Sequence, residues 1–109
     1  MTFVETTVFT KRITALGLED SLEVLQQELL ANPEAGDVEP GTGGLRKVRM
    51  RDPKRAKGKR GGARVHYLWL GHKGRIYLIF VYEKGESAKL TAEQKRQLRQ
   101  VATPIRAQA

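Results

Sequence analysis

Basic side chains crowd the part of the sequence where alternating strand patterns can aim them in one direction. Leu45 to Arg51 (LRKVRMR) alternates so that Val48 and Met50 fall on one face and Lys47 and Arg49 on the other. Arg64 to Leu70 (RVHYLWL) does the same, with Val65, Tyr67 and Trp69 opposite Arg64 and His66. Lys47, Arg49 and Arg64 are therefore expected outside the apolar core. Between these strands lies DPKRAKGKRGG, residues 52–62, a loop of Lys, Arg and Gly. Residues 45–64 hold ten of the 20 Lys and Arg side chains and one acid, a local net charge of +9. Charge focused in this way suits a polyanion, and Arg46, Arg51, Lys54, Arg55, Lys57, Lys59 and Arg60 are its candidate nucleic-acid contacts. The alternative is a solvated loop that only keeps the protein soluble. The glycines threading the run and the apolar strands after it favour nucleic acid.

Other chemistries are narrower. Cysteine is absent, which excludes disulfides, thiolate zinc sites and cysteine nucleophiles. Gly41-x-Gly43-Gly44 has neither the Walker spacing nor its Lys-Ser/Thr pair, so it is no P-loop. No metal site is expected. His66, on the face of Arg64, is a candidate acid or base, although a histidine in a strand is more often packed or simply at the surface. His72 falls in a turn and is expected to be inert. Tyr82 ends an apolar strand, where it either stacks on a base or belongs to the core.

Periodicity along the chain predicts the helices and strands that carry these residues. Phe3 to Phe9 (FVETTVF) reads as a strand, and Lys11 to Leu16 as a short helix closed by Gly17. Asp20 with Glu23 makes a capping box for a helix whose apolar stripe is Leu18, Leu22, Leu25 and Leu29. Asn32-Pro33 ends it. Glu34 to Gly44 shows no strand pattern and reads as loop. After the two basic strands, Gly71 to Gly74 makes a hairpin turn. Arg75 to Tyr82 (RIYLIFVY) is nearly continuous in apolar residues, as in a strand covered on both faces. Thr91 with Gln94 caps a last helix with a seam of Leu98, Val101 and Ile105, ended by Pro104. The expected fold is a single α+β domain over residues 1–109, a small antiparallel sheet with N-terminal helices packed on one face and a C-terminal helix. The cations would then line the other, open face as a cleft.

Charge is uneven along the chain. Residues 1–44 carry a net −6, residues 45–64 a net +9 and residues 65–109 a net +5, which sum to the net +8 of the whole. The N-terminal stretch MTFVETTVFTK lacks the basic and apolar regions of a secretory signal, and no apolar run approaches the roughly 20 residues that span a bilayer. A cytoplasmic protein without membrane partners is expected.

The order of elements, with GTGGLRKVRM, KRGGARVHYLW, RIYLIFVYEKGE and LTAEQ, resembles the RelE/HigB toxins of type II toxin–antitoxin systems, and most closely the HigB branch. The resemblance runs from the first strand to the last helix. Its most specific parts are Gly43-Gly44-Leu45-Arg46-Lys47 and Lys59-Arg60-Gly61-Gly62-Ala63-Arg64. It implies an antiparallel sheet packed by helices, cleavage of mRNA on the ribosome, and inhibition by a cognate antitoxin with a helix-turn-helix domain. By position, the family's catalytic basic residues correspond to Lys47, Arg49, Arg64 and Lys84. The tyrosine that some members carry beyond the last strand has no match in Ser87 to Thr91.

Such a reaction needs no metal or organic cofactor, because the ribose 2′-OH is the nucleophile. The protein must align it with the phosphate, assist proton transfer and stabilise the phosphorane. Arg64 suits the phosphorane, with a permanently charged two-pronged donor. Lys47 is the candidate general base, with like charges from Arg46, Arg49 and Arg64 expected to favour its neutral form. Arg49 is electrostatic, and Lys84 a candidate proton donor or phosphate contact. Two other readings stand beside this one: a non-catalytic RNA- or ribosome-binding protein, and a gyrase-inhibiting toxin of the same fold.

Overall fold

The computed structural model describes residues 1–51, 62–83 and 89–108. The chain runs β1 (Thr2–Glu5), α1 (Thr7–Leu16), α2 (Glu19–Ala31), β2 (Asp37–Val38), β3 (Arg46–Met50), β4 (Ala63–Leu70), β5 (Arg75–Glu83) and α3 (Ala92–Gln108). The fold is α+β, and among the described residues it is built on a 5-stranded sheet of order β1-β5-β4-β3-β2. β3, β4 and β5 form the expected antiparallel meander. The sheet as a whole is mixed rather than antiparallel, because β1 runs parallel to β5 from Thr2↔Arg75 to Glu5↔Leu78. The meander leaves one side of β5 without a strand neighbour, and the N-terminus fills it. β2 is a second departure: two residues of the expected loop pair with β3 as Asp37↔Lys47 and Val38↔Arg46.

Thr6 decides where the first strand stops. Its backbone is extended and its Oγ1 accepts from the Phe9 N–H, so it caps α1. The same hydroxyl donates to the Ile79 carbonyl at 2.9 Å. The helix therefore starts at Thr7, although the residue pattern predicts strand through Phe9. Tertiary packing overrides the β-branched run, because Phe9 and Ile13, four residues apart, both enter the core. In α2 the expected capping box does not form. The helix begins two residues earlier, with Leu18 rather than Asp20 at the cap and no side-chain cap bond, while Glu19 and Asp20 sit in the first turn and complement the helix dipole. The Thr91–Gln94 box does form, each side chain bonding the other's backbone N–H. α3 continues through Pro104 to Gln108. Past the proline, Arg106 donates to the carbonyls of Gly43 and Gly44 and Ile105 packs on the sheet, which holds the last turn in place.

Helices cover both faces of the sheet. On the first, Phe9, Ile13, Leu22, Leu25 and Leu29 pack against Met50, Val65, Tyr67, Ile76, Leu78 and Val81. On the second, Leu98 and Ala102 of α3 pack against Leu45, Leu68, Leu70 and Ile79. The second face is thus open only in part, and Ala102 rather than Val101 completes the α3 seam, Val101 being exposed. A bulge in β5 helps build this face: Tyr67 pairs with Leu78 but His66 with Phe80, so Ile79 is the extra residue and both Ile79 and Phe80 join the second cluster. No helix among the described residues is long and apolar enough to cross a membrane.

Tyr67 fastens the segment that leads into β2. Its hydroxyl donates to the Pro33 carbonyl at 2.8 Å and accepts from the Gly36 N–H at 3.0 Å. A Cβ on Gly36 would lie 2.6 Å from the Lys47 carbonyl oxygen, so glycine lets this segment lie against β3. Tyr67→Phe strands the buried Gly36 N–H and is expected to cost about 1–3 kcal/mol in urea unfolding, with the m-value unchanged. An unchanged midpoint would remove the hydroxyl from the support of the fold.

Candidate nucleic-acid interface

Strand register brings three of the expected basic residues together. Lys47 pairs with His66, and two residues on Arg49 pairs with Arg64. Next across the sheet, Arg64 pairs with Tyr82 and His66 with Phe80. All lie on the side of the sheet where α3 packs, because Val48, Met50, Val65 and Tyr67 point the other way into the first core cluster. Lys47 and Arg49 are exposed and Arg64 is half-buried. Guanidinium groups directly opposite one another on adjacent strands repel, and an anion beside them is attracted by both. The Arg64 Nη1 also reaches the Gly62 carbonyl at 3.5 Å.

Other expected contacts separate from this group. Arg46 is on the opposite face, where its guanidinium donates to the Gly36 carbonyl at 2.7 Å and pairs with Glu34 at 3.4 Å. It holds the β2 segment rather than facing Lys47. Arg51 is exposed just beyond β3. Lys54, Arg55, Lys57, Lys59, Arg60 and Lys84 lie outside the described residues. Tyr82 is only 4 % exposed, its ring stacked against His66 and Phe80 at centroid distances of 5.9 and 5.8 Å. It is built into the core and offers no open face for a base.

His66 is fully buried, and neither ring nitrogen has a hydrogen-bond partner among the described residues. Burial drives its pKa down to about 4, against the pull of the Glu39 carboxylate, so it is neutral at pH 7. An imidazole so placed is shielded from a substrate.

The residue that organises the cluster is one that periodicity passes over. Glu39 reaches Lys47 Nζ at 3.1 Å, Lys95 Nζ of α3 at 3.6 Å and His66 Nε2 at 3.7 Å. Its backbone is anchored by a bond from its N–H to the Leu45 carbonyl and by the Thr42 hydroxyl donating to its carbonyl. Burial acts to raise its carboxyl pKa, but the Lys47 hydrogen bond and charge, with Lys95 behind them, outweigh that and hold it below the usual range. The neighbour that touches Lys47 is thus a carboxylate, not the ring of cations expected from the sequence. Glu39 is the last acid before the basic run, a faint signal in a segment without period. Lys95 is one of several cations on a polar helix, and nothing in its spacing marks it.

No protein-family model matches the chain.

Proposed function

We propose that the chain is a RelE/HigB-type toxin, a ribosome-dependent endoribonuclease that cleaves mRNA and so stops translation, acting in the cytoplasm under the control of a cognate antitoxin. The observation that carries this reading is the register that sets Lys47, Arg49 and Arg64 side by side on one sheet face. The α+β layout agrees with that of the family. In the proposed reaction the ribose 2′-hydroxyl gives up its proton to solvent as its oxygen attacks the adjacent phosphorus, and the bond to the 5′-oxygen breaks as that oxygen takes a proton from solvent, leaving a 2′,3′-cyclic phosphate and a 5′-hydroxyl. Arg64 binds the phosphorane oxygens and Arg49 adds field. Lys47, in an ion pair with Glu39, suits phosphate contact better than proton abstraction. Neither a metal nor an organic cofactor enters this scheme.

The test is incubation with ribosomes programmed with a defined mRNA. Cleaved message with cyclic-phosphate ends is expected, and its formation should stop when the antitoxin is added. A second reading, a non-catalytic RNA- or ribosome-binding protein, is favoured by the buried His66 and the paired Lys47. Intact mRNA on ribosomes that have bound the protein would select it. A gyrase-inhibiting toxin would instead halt supercoiling before translation on expression.

A further inference from the structure

We propose that Lys47 and Lys95 form a phosphate subsite at the α3 end of the cationic face, with the Glu39 carboxylate occupying it until an RNA phosphate takes its place. The inference rests on the RNA-binding part of the function proposed above and extends the interface from the sheet onto α3.

Glu39 touches two ammonium groups that come from different elements, one oxygen on each: Oε1 to Lys47 and Oε2 to Lys95. A bridging carboxylate of this kind presents two oxygens much as a phosphodiester does. One carboxylate against two lysines leaves a surplus positive charge, and neutral His66 does not change that balance. Both lysines remain in reach of solvent, their side chains 42 % and 31 % exposed, whereas Glu39 is 15 % exposed.

The other α3 cations facing this region have different tasks. Arg99 donates to the Gly41 carbonyl and Arg106 to those of Gly43 and Gly44, so they hold the glycine turn that carries the chain from Glu39 into β3. Among the described residues Lys95 bonds no such carbonyl and shares the Glu39 carboxylate instead. Since the Glu39 backbone is anchored at both its N–H and its carbonyl, exchange of carboxylate for phosphate needs only rotation of the Glu39 side chain. Arg49 lies two residues along the same strand face from Lys47, about 7 Å away. A strand of RNA seated on Lys95 and Lys47 therefore continues toward Arg49 and Arg64.

The experiment measures binding of a short single-stranded RNA, 2′-O-methylated so that no cleavage can occur, across a series of salt concentrations. Lys95→Gln should weaken binding and reduce the log–log salt slope by about 0.7, the value for one single-strand phosphate contact. Glu39→Gln should bind roughly two- to fivefold tighter at fixed salt, the size of one partly exposed charge contact. Lys73→Gln, in the exposed turn before β5, controls for overall charge and should leave the slope near the parent's. Thermal melts check each fold. If Glu39→Gln proves unfolded, Lys95→Glu carries the test and should weaken binding more than Lys95→Gln. A parent that binds RNA while Lys95→Gln keeps its slope overturns the subsite. Weaker binding by a folded Glu39→Gln overturns it as well, because Glu39 would then position the lysines instead of competing for them. A parent that binds no RNA removes the RNA reading itself, and the subsite with it.

Discussion

Arg64→Ala is expected to lose on the order of 10²–10³ in single-turnover cleavage on programmed ribosomes, the loss typical of removing one donor to a developing oxyanion. Arg64 sits opposite Arg49 in the β3–β4 register and beside Tyr82 on β5, at the centre of the cationic face. Arg64→Lys should recover only part of the rate, since a point charge replaces a planar two-pronged donor. Ribosome affinity should fall much less, because nine other basic residues share the stretch 45–64. The melt should barely move: the side chain is half-buried and lies opposite the first core face. Near-normal cleavage by a folded, ribosome-bound variant would take Arg64 out of the mechanism. A collapsed melt would make it a structural residue.

The second large effect is on stability as pH falls. His66 has its pKa lowered by burial from 6.5 to about 4 in the folded chain. The unfolded chain therefore takes up a proton near pH 6.5 that the folded chain refuses until about pH 4. The stability tied to neutral His66 is fully present above pH 6.5 and drains away between there and pH 4, by about 3 kcal/mol in all. Glu39, whose carboxyl is held below its usual range, acts in the same direction at the acid end of this window, because its folded-state advantage is lost as it protonates. Lys47 and Lys95 face the same pocket and oppose protonation of the imidazole, while Glu39 favours it and burial outweighs it. His66→Leu should flatten urea-derived stability over this range and leave it unchanged or higher at pH 8, since it removes two buried nitrogens that have no hydrogen-bond partner among the described residues. The same acid loss in the variant as in the parent would show that another group carries the effect.

Much of the architecture was legible in local pattern. Period-two alternation in LRKVRMR and RVHYLWL placed Lys47, Arg49 and Arg64 on one face and Val48, Val65 and Tyr67 on the other, because a strand has only two faces and water sorts the residues between them. Leu22, Leu25 and Leu29 marked the buried stripe of α2 for the same reason. Less legible were the ends of elements. Thr6 ended the first strand early through a cap and a contact to Ile79, 73 residues away. Pro104 failed to end α3 because Arg106 binds carbonyls more than 60 residues back in the chain.

Local pattern alone specifies a strongly basic α+β chain whose meander turns three cations to one side. Burial of apolar residues along short periods is a local property, so it can be read along the chain. Which charges meet is set by long-range packing. It turned Arg46 to the far face and bound it to Glu34 and Gly36, buried His66 and Tyr82, and folded a glycine turn back so that Glu39 lies between lysines of β3 and α3. Ion pairs form between groups far apart in the sequence, and their energy depends on a separation and a depth of burial that no spacing along the chain encodes.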